Sequence, residues 1–354
     1  MTRSNMDYKG IHTKLGISGL IICFIVGASL IVPELNDDSE FEEIRLFKLM
    51  ESLGYDSVDH FPDTDVFGVS ANRGKEIVTK GFSSRPGGGR TKKQSKHFVC
   101  TSCHNIVRED PDLSNPNPQD RLIYSEEQGI PFLQGTSLYG AVNRERYYND
   151  DYYKKYGELV IAARDDIREA INLCAVECAQ GRSLLPWELE SILAYLWTID
   201  LKLEDLELGD EEVDFLNRAY KNRIQQDSAL NLLKASYKRD SPAHFTTAFD
   251  SKMAIENLKG DTNNGKMIYE NSCLHCHADQ KYSYMLLDDD KLTFKHLANK
   301  ADGYTKHSLL QVTRFGVYSK SGKRSYMPQY PLEKLSNQQL ADLNAYIQMR
   351  ASED

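Results

Sequence analysis

The pentapeptide Cys-x-x-Cys-His occurs twice in this chain, as Cys100-Thr101-Ser102-Cys103-His104 and as Cys273-Leu274-His275-Cys276-His277. Residues three apart on a helical turn lie on one side. The two thiols of each motif can therefore reach the two vinyl groups of one porphyrin, and the following residue, His104 or His277, falls beneath the iron as its proximal ligand. This is the attachment pattern of covalently bound haem c. A four-cysteine zinc site is the competing use of two such pairs. The pairs stand 170 residues apart and His follows each directly, which favours two haem c groups over one zinc. A thioredoxin-like redox role needs a βαβ setting, and the sequence sustains no strand-like alternation.

Each iron then needs a sixth ligand. After the second motif, Tyr326-Met327-Pro328-Gln329-Tyr330 comes 50 residues past His277 and just before an amphipathic stretch from Ser336 to Arg350. Proline holds that loop extended, which makes Met327 the expected ligand, with His296 and His307 as competitors. A thioether favours Fe(II) and raises the potential. The first motif is different. No Met lies between Met50 and Met253, and no His between His104 and His244. Cys174, Cys178, a lysine or an open site remain, and the missing Met and His favour Cys174. A thiolate there stabilises Fe(III) and lowers the potential.

The order of features predicts an all-α chain with two cytochrome c-type haem domains in tandem after an N-terminal membrane segment. Arg3, Lys9 and Lys14 precede the uncharged run Leu15–Val32, and an acidic stretch follows it. That polarity puts the N-terminus inside and the body outside the bacterial inner membrane, on the periplasmic side. Residues 1–33 are a retained anchor or a cleaved signal, and 34–65 a spacer helix. The haem 1 domain spans 66–202, a charged helical linker 203–243, and the haem 2 domain 244–354. Gly74 and Gly265 open the two domains in corresponding positions. Leu216, Tyr220, Ile224 and Leu230 mark a helical stripe in the linker. The net charge of −9 argues against nucleic acid as a partner.

The second domain resembles class I cytochrome c in Gly265-Lys266-Met267-Ile268-Tyr269, the Cys-x-x-Cys-His, the Met327-Pro328 loop and the terminal helix. Residues 66–200 resemble the dihaem thiosulfate dehydrogenases and the related A subunit of the sulfur-oxidation cytochromes. That resemblance rests on Phe98-Val99-Cys100-Thr101-Ser102-Cys103-His104 and on Ile171-Asn172-Leu173-Cys174 with Gly181-Arg182 beyond. It implies Cys174 as the distal ligand of haem 1, with oxidation of a sulfur anion beside it. The family pattern has Arg four residues before that Cys; here Ala170 stands there, with Arg164 and Arg168 nearby. Three functions are open to such a chain. It transfers electrons from haem 1 through haem 2 to a redox protein, another cytochrome or a membrane oxidase or reductase complex. It is a thiosulfate dehydrogenase-like enzyme with Cys174 at the catalytic iron. Or it is a sensor with an open haem 1.

Overall fold

Two helix crossings, built the same way, organise the chain. In the first, the Ala71–Lys80 helix lies across the Pro186–Leu196 helix. A Cβ on Gly74 would stand 1.8 Å from the Ser191 carbonyl oxygen, so the two backbones touch where no side chain fits. In the second, the Thr262–Ile268 helix crosses the Asn337–Ser352 helix. There a Cβ on Gly265 would stand 2.1 Å from the Asp342 carbonyl oxygen. The two glycines aligned by sequence thus occupy equivalent places in two equivalent crossings.

Local chemistry fixes these helices. Pro186 occupies the first turn of its helix, where a missing N–H costs nothing. Asp261 accepts from the amides of Asn263 and Asn264. Ser336 and Gln339 form a reciprocal capping box, at 3.1 and 3.0 Å. The computed structural model describes residues 41–56, 59–301, 303–305, 307–317 and 327–353. The Leu15–Val32 run lies outside them. Among the described residues there are helices and isolated bridges, as expected for an all-α chain. No helix among them is long and apolar enough to cross a membrane.

Residues 37–354 form one compact unit. The core around the first crossing contains Phe47, Ile77, Val142, Leu193 and Trp197. The core around the second contains Ile268, Tyr269, Phe294, Leu340 and Tyr346, and also Leu122 and Phe132 from the earlier part of the chain. Leu122 sits on the Pro118–Gln128 helix, capped by Asn117 with Pro118 at its first position. Burying one such leucine stabilises by roughly 1.5–3 kcal/mol. The Gln119 and Asn264 side chains exchange hydrogen bonds of 2.9 and 3.0 Å. Beside them a buried ion network closes the junction: Lys334 Nζ lies 3.0 Å and Arg121 Nη1 3.8 Å from the Glu109 carboxylate.

The charged segment after residue 203 contains helices Asp210–Asn222 and Gln226–Ala235. Leu216 and Leu230 are buried, and Tyr220 packs on Phe41. Ile224 departs from the expected stripe and is exposed. Its neighbours Arg223 and Gln225 both adopt left-handed backbone, which ends one helix before the next begins.

Candidate cofactor clefts

Each Cys-x-x-Cys-His motif lines a cleft, and the two histidines are oriented in the same way. His104 Nδ1 lies 2.7 Å from the Thr136 carbonyl oxygen, and His277 Nδ1 lies 2.9 Å from that of Met285. A carbonyl only accepts, so Nδ1 carries the proton and Nε2 keeps its lone pair for a metal. Burial pushes both imidazole pKa values down, which keeps the rings neutral as ligation requires. Gly135 makes room for the first ring: a Cβ there would come within 2.6 Å of His104 Nδ1.

The four motif cysteines are free of disulfides. Burial pushes the Cys100 and Cys276 thiols up to about 11 and Cys273 up to about 12, and raises Cys103 as well. A thiol–disulfide centre needs the opposite shift, toward a ready thiolate. Among the described residues no three His, Cys, Asp or Glu side chains converge on a bare ion. Half-buried neutral thiols paired with a metal-ready imidazole fit a porphyrin held by thioether bonds. The clefts, of about 670 and 1490 Å³ including their open mouths, are large enough for one.

The smaller cleft holds Cys273, Cys276, His277, Met327, Pro328 and Tyr330. Met327 is set by a backbone bridge to Val317 and His277 by the Leu274–His277 turn. Buried Arg314 pins the chain beyond Met327 through the carbonyls of Tyr330 and Leu335 and the Asn337 side chain. Tyr330 in turn bonds Ser272, directly before Cys273. His296 and His307, the competitors of Met327, do not line this cleft.

The larger cleft brings together Cys100, Cys103, His104 and Cys174, with Cys178, Tyr148 and Tyr152. Asp166 caps the Ile167–Leu173 helix, which runs into a wider π-turn over Cys174–Cys178. The Cys178 thiol beside Cys174, and then burial, raise the Cys174 pKa. Cys178 also lies 3.2 Å from the Tyr156 hydroxyl. Arg164 and Arg168 are engaged elsewhere. Arg168 forms a two-pronged ion pair with Glu190 at 2.8 and 2.9 Å, and Arg164 pairs with Asp150. Ala170, four residues before Cys174, does line the cleft.

The two clefts share a wall. Phe98, Cys103, Gln134 and Pro328 line both, and Cys276 Sγ lies 3.9 Å from the Ser102 carbonyl oxygen. The Thr136 and Met285 carbonyls that orient the histidines carry no sequence signal, since any residue supplies a carbonyl. Arg144, which lines the larger cleft, was also not singled out by its sequence context.

No curated protein and no solved structure matches the chain. Residues 260–347 match the family model described as cytochrome C oxidase, cbb3-type, subunit III. That match supports a c-type cytochrome domain at these residues, with covalently bound haem c and a general role in electron transfer.

Proposed function

We propose that the chain is an exported electron-transfer protein carrying two haem c groups. It takes electrons at a low-potential His104/Cys174 site and delivers them through a His277/Met327 site to a redox protein partner. The supporting observation is the shared wall: Cys103 belongs to both clefts, and Cys276 Sγ approaches the turn that carries it. The attachment thiols of the two motifs would thus hold their groups on the two sides of one wall. The repeated helix crossing supports two copies of one haem-binding fold. Bound haem c supplies one-electron iron chemistry.

The chain's own residues do the rest. Cys100 and Cys103, and Cys273 and Cys276, provide the attachment thiols. The Thr136 and Met285 carbonyls hold the two imidazoles in the ligating tautomer. Met327 would offer a neutral sulfur in one cleft and Cys174, deprotonated only on binding iron, an anionic one in the other, so the downhill direction would run from the first site to the second. The uncharged N-terminal run would tether the chain on the periplasmic side of the inner membrane, or be cleaved. An EPR and absorption spectrum of the oxidised protein tests this reading. Two low-spin signals, one with thiolate character, are expected; a single signal would contradict it.

A second reading, oxidation of thiosulfate or a similar sulfur anion, is favoured by one observation. Cys174 and His104 line the same open cleft. The ion pairs of Arg164 and Arg168 weaken it, because neither guanidinium serves the cleft. Rapid haem reduction by thiosulfate, lost in Cys174→Ala, would establish it; inertness to thiosulfate, sulfite and tetrathionate would discard it.

A further inference from the structure

Two consecutive residues reach the sulfur-bearing walls of both clefts. Lys155 and Tyr156 end the short helix Tyr153–Tyr156, and both are buried. Tyr156 lines the first cleft, with its hydroxyl 3.2 Å from Cys178 Sγ. Lys155 instead reaches a segment 160 residues further on. Its Nζ donates to the Phe315 carbonyl oxygen at 2.9 Å and to the Gln329 side-chain oxygen. Those acceptors stand on either side of the bridge between Val317 and Met327, whose backbones exchange hydrogen bonds of 2.9 and 3.3 Å. Gly316 lies under the ammonium in left-handed backbone, at φ +73°. A Cβ there would stand 3.0 Å from Lys155 Nζ and 2.4 Å from the Met327 carbonyl oxygen. The lysine and the Met327 backbone therefore meet at a point that only glycine leaves open.

Burying an ammonium is costly unless its donors are used. Lys155 is 6% exposed. The Phe315 and Tyr156 rings each lie 5.8 Å from its Nζ, and Phe245 packs edge-on against both Phe315 and Tyr152. Burial pushes the lysine pKa down to about 8, so the charge persists at neutral pH. Hydrogen bonds from such a charge are roughly twice as strong as neutral ones. An apolar side chain of like length would fill the space without the desolvation cost, but it would release Phe315 and Gln329. Arg314 pins the chain beyond Met327 from within the second core. Lys155 adds a hold from the part of the chain that carries the first motif.

We propose that Lys155 is a positioning residue of the second site: it fixes the residues flanking the Val317–Met327 bridge and so keeps the Met327 sulfur in its cleft. The proposal rests on the reading of Met327 as the ligand of the second iron. Ligation at the second site then depends on a residue next in the chain to the tyrosine that touches the Cys178 sulfur of the first.

The test uses the purified dihaem protein and its Lys155→Met, Gln329→Leu and Met327→Ala variants. The readouts are the methionine-to-iron charge-transfer band of the oxidised protein, a spectroscopic redox titration and thermal melting. K155M should weaken the bond between Met327 and the iron about tenfold. Part of the band is then lost and the second potential falls, in the direction of Met327→Ala and by less, while the first potential stays in place. Q329L should shift both readouts the same way by a smaller amount and add nothing in the K155M background; additive shifts would overturn the proposal. If Met327→Ala leaves band and potential as in the wild type, Met327 is not the ligand, and the reading beneath the proposal fails and takes the proposal with it. If Met327→Ala abolishes the band while K155M only lowers the melting temperature, the ligand stands, Lys155 is a packing residue, and the proposal alone is overturned. Should K155M not fold, Q329L decides by the same band and potential: shifted, it supports the proposal; unmoved, it refutes it.

Discussion

The two clefts share a plan and differ in what surrounds it. Both set a histidine by a carbonyl bond to Nδ1, both hold two half-buried neutral thiols, and both lie beside a helix crossing closed by a glycine. The second is tight, uncharged and walled by Met327. The first is larger, lined by tyrosines, offers Cys174 and Cys178 as its sulfur, and contains one cation. A soft neutral ligand in an uncharged pocket suits a single electron-transfer potential. A roomier cleft with a thiol and a guanidinium leaves more variables open to tuning. On the proposed reading, the repeated frame would fix a group in place, and the residues that vary around it would set how that group behaves.

The largest expected effect comes from separating the two sites. Glu109→Ala would strand Lys334 and Arg121 as buried unpaired cations, and stability should fall by roughly 3–5 kcal/mol in denaturant unfolding. Burial by itself would push the Glu109 carboxyl up, but the Lys334 ammonium and Arg121 guanidinium outweigh it and hold it down at about 2. A depressed folded pKa means stability that is complete above the ordinary carboxylate range and is lost as the pH falls toward about 2. Acid titration of wild type against Glu109→Gln should show that dependence in the wild type and a flatter curve in the variant. Parallel curves would remove Glu109 from the junction.

A smaller effect, and one that should be equal on both sides, belongs to the crossings. Gly74→Val and Gly265→Val each drive a side chain into a carbonyl of the facing helix, costing about 1–3 kcal/mol or more. A tolerated change at either glycine would break the equivalence.

How much of this could be read from the chain follows from range. The motifs, the paired glycines, the Met327-Pro328 loop and the helix after Ser336 are short-range patterns, and each is found in the place its spacing indicates. The ligand roles of Met327 and Cys174 remain part of the proposal, although each lies in the expected cleft wall. What was hidden depends on partners distant in sequence. Leu122 and Phe132 look like part of a loop-rich insertion, yet they complete the core of the second crossing. The Pro-rich stretch Pro111–Pro118 reads as loop, yet Asn117 caps a helix that begins at Pro118, and nothing local says which face that helix meets. Arg144 stands between Asn143 and Glu145 like a surface residue, and its place in the cleft wall appears only once the cleft is assembled.

Exchanging the distal sulfurs should move the two potentials in opposite directions. Cys174→Ala removes an anionic ligand and should raise the first potential, whereas Met327→Ala should lower the second, each by at least tenfold in equilibrium constant, about 59 mV for one electron. Shifts of the same sign would contradict the assigned ligands. The smallest effect is at Tyr330. Tyr330→Phe loses the hydroxyl contact to Ser272, and should cost about 1 kcal/mol in thermal unfolding. Spectral change confined to the second site is expected, because Tyr330 lines that cleft and not the first.

The account depends most on porphyrin being attached at both motifs, and intact-mass analysis of protein made in a maturation-competent host measures that directly. Two porphyrin additions that survive acid-acetone extraction are predicted, falling to one when Cys100 and Cys103 are both replaced by alanine. One addition in the wild type, or none, would contradict it.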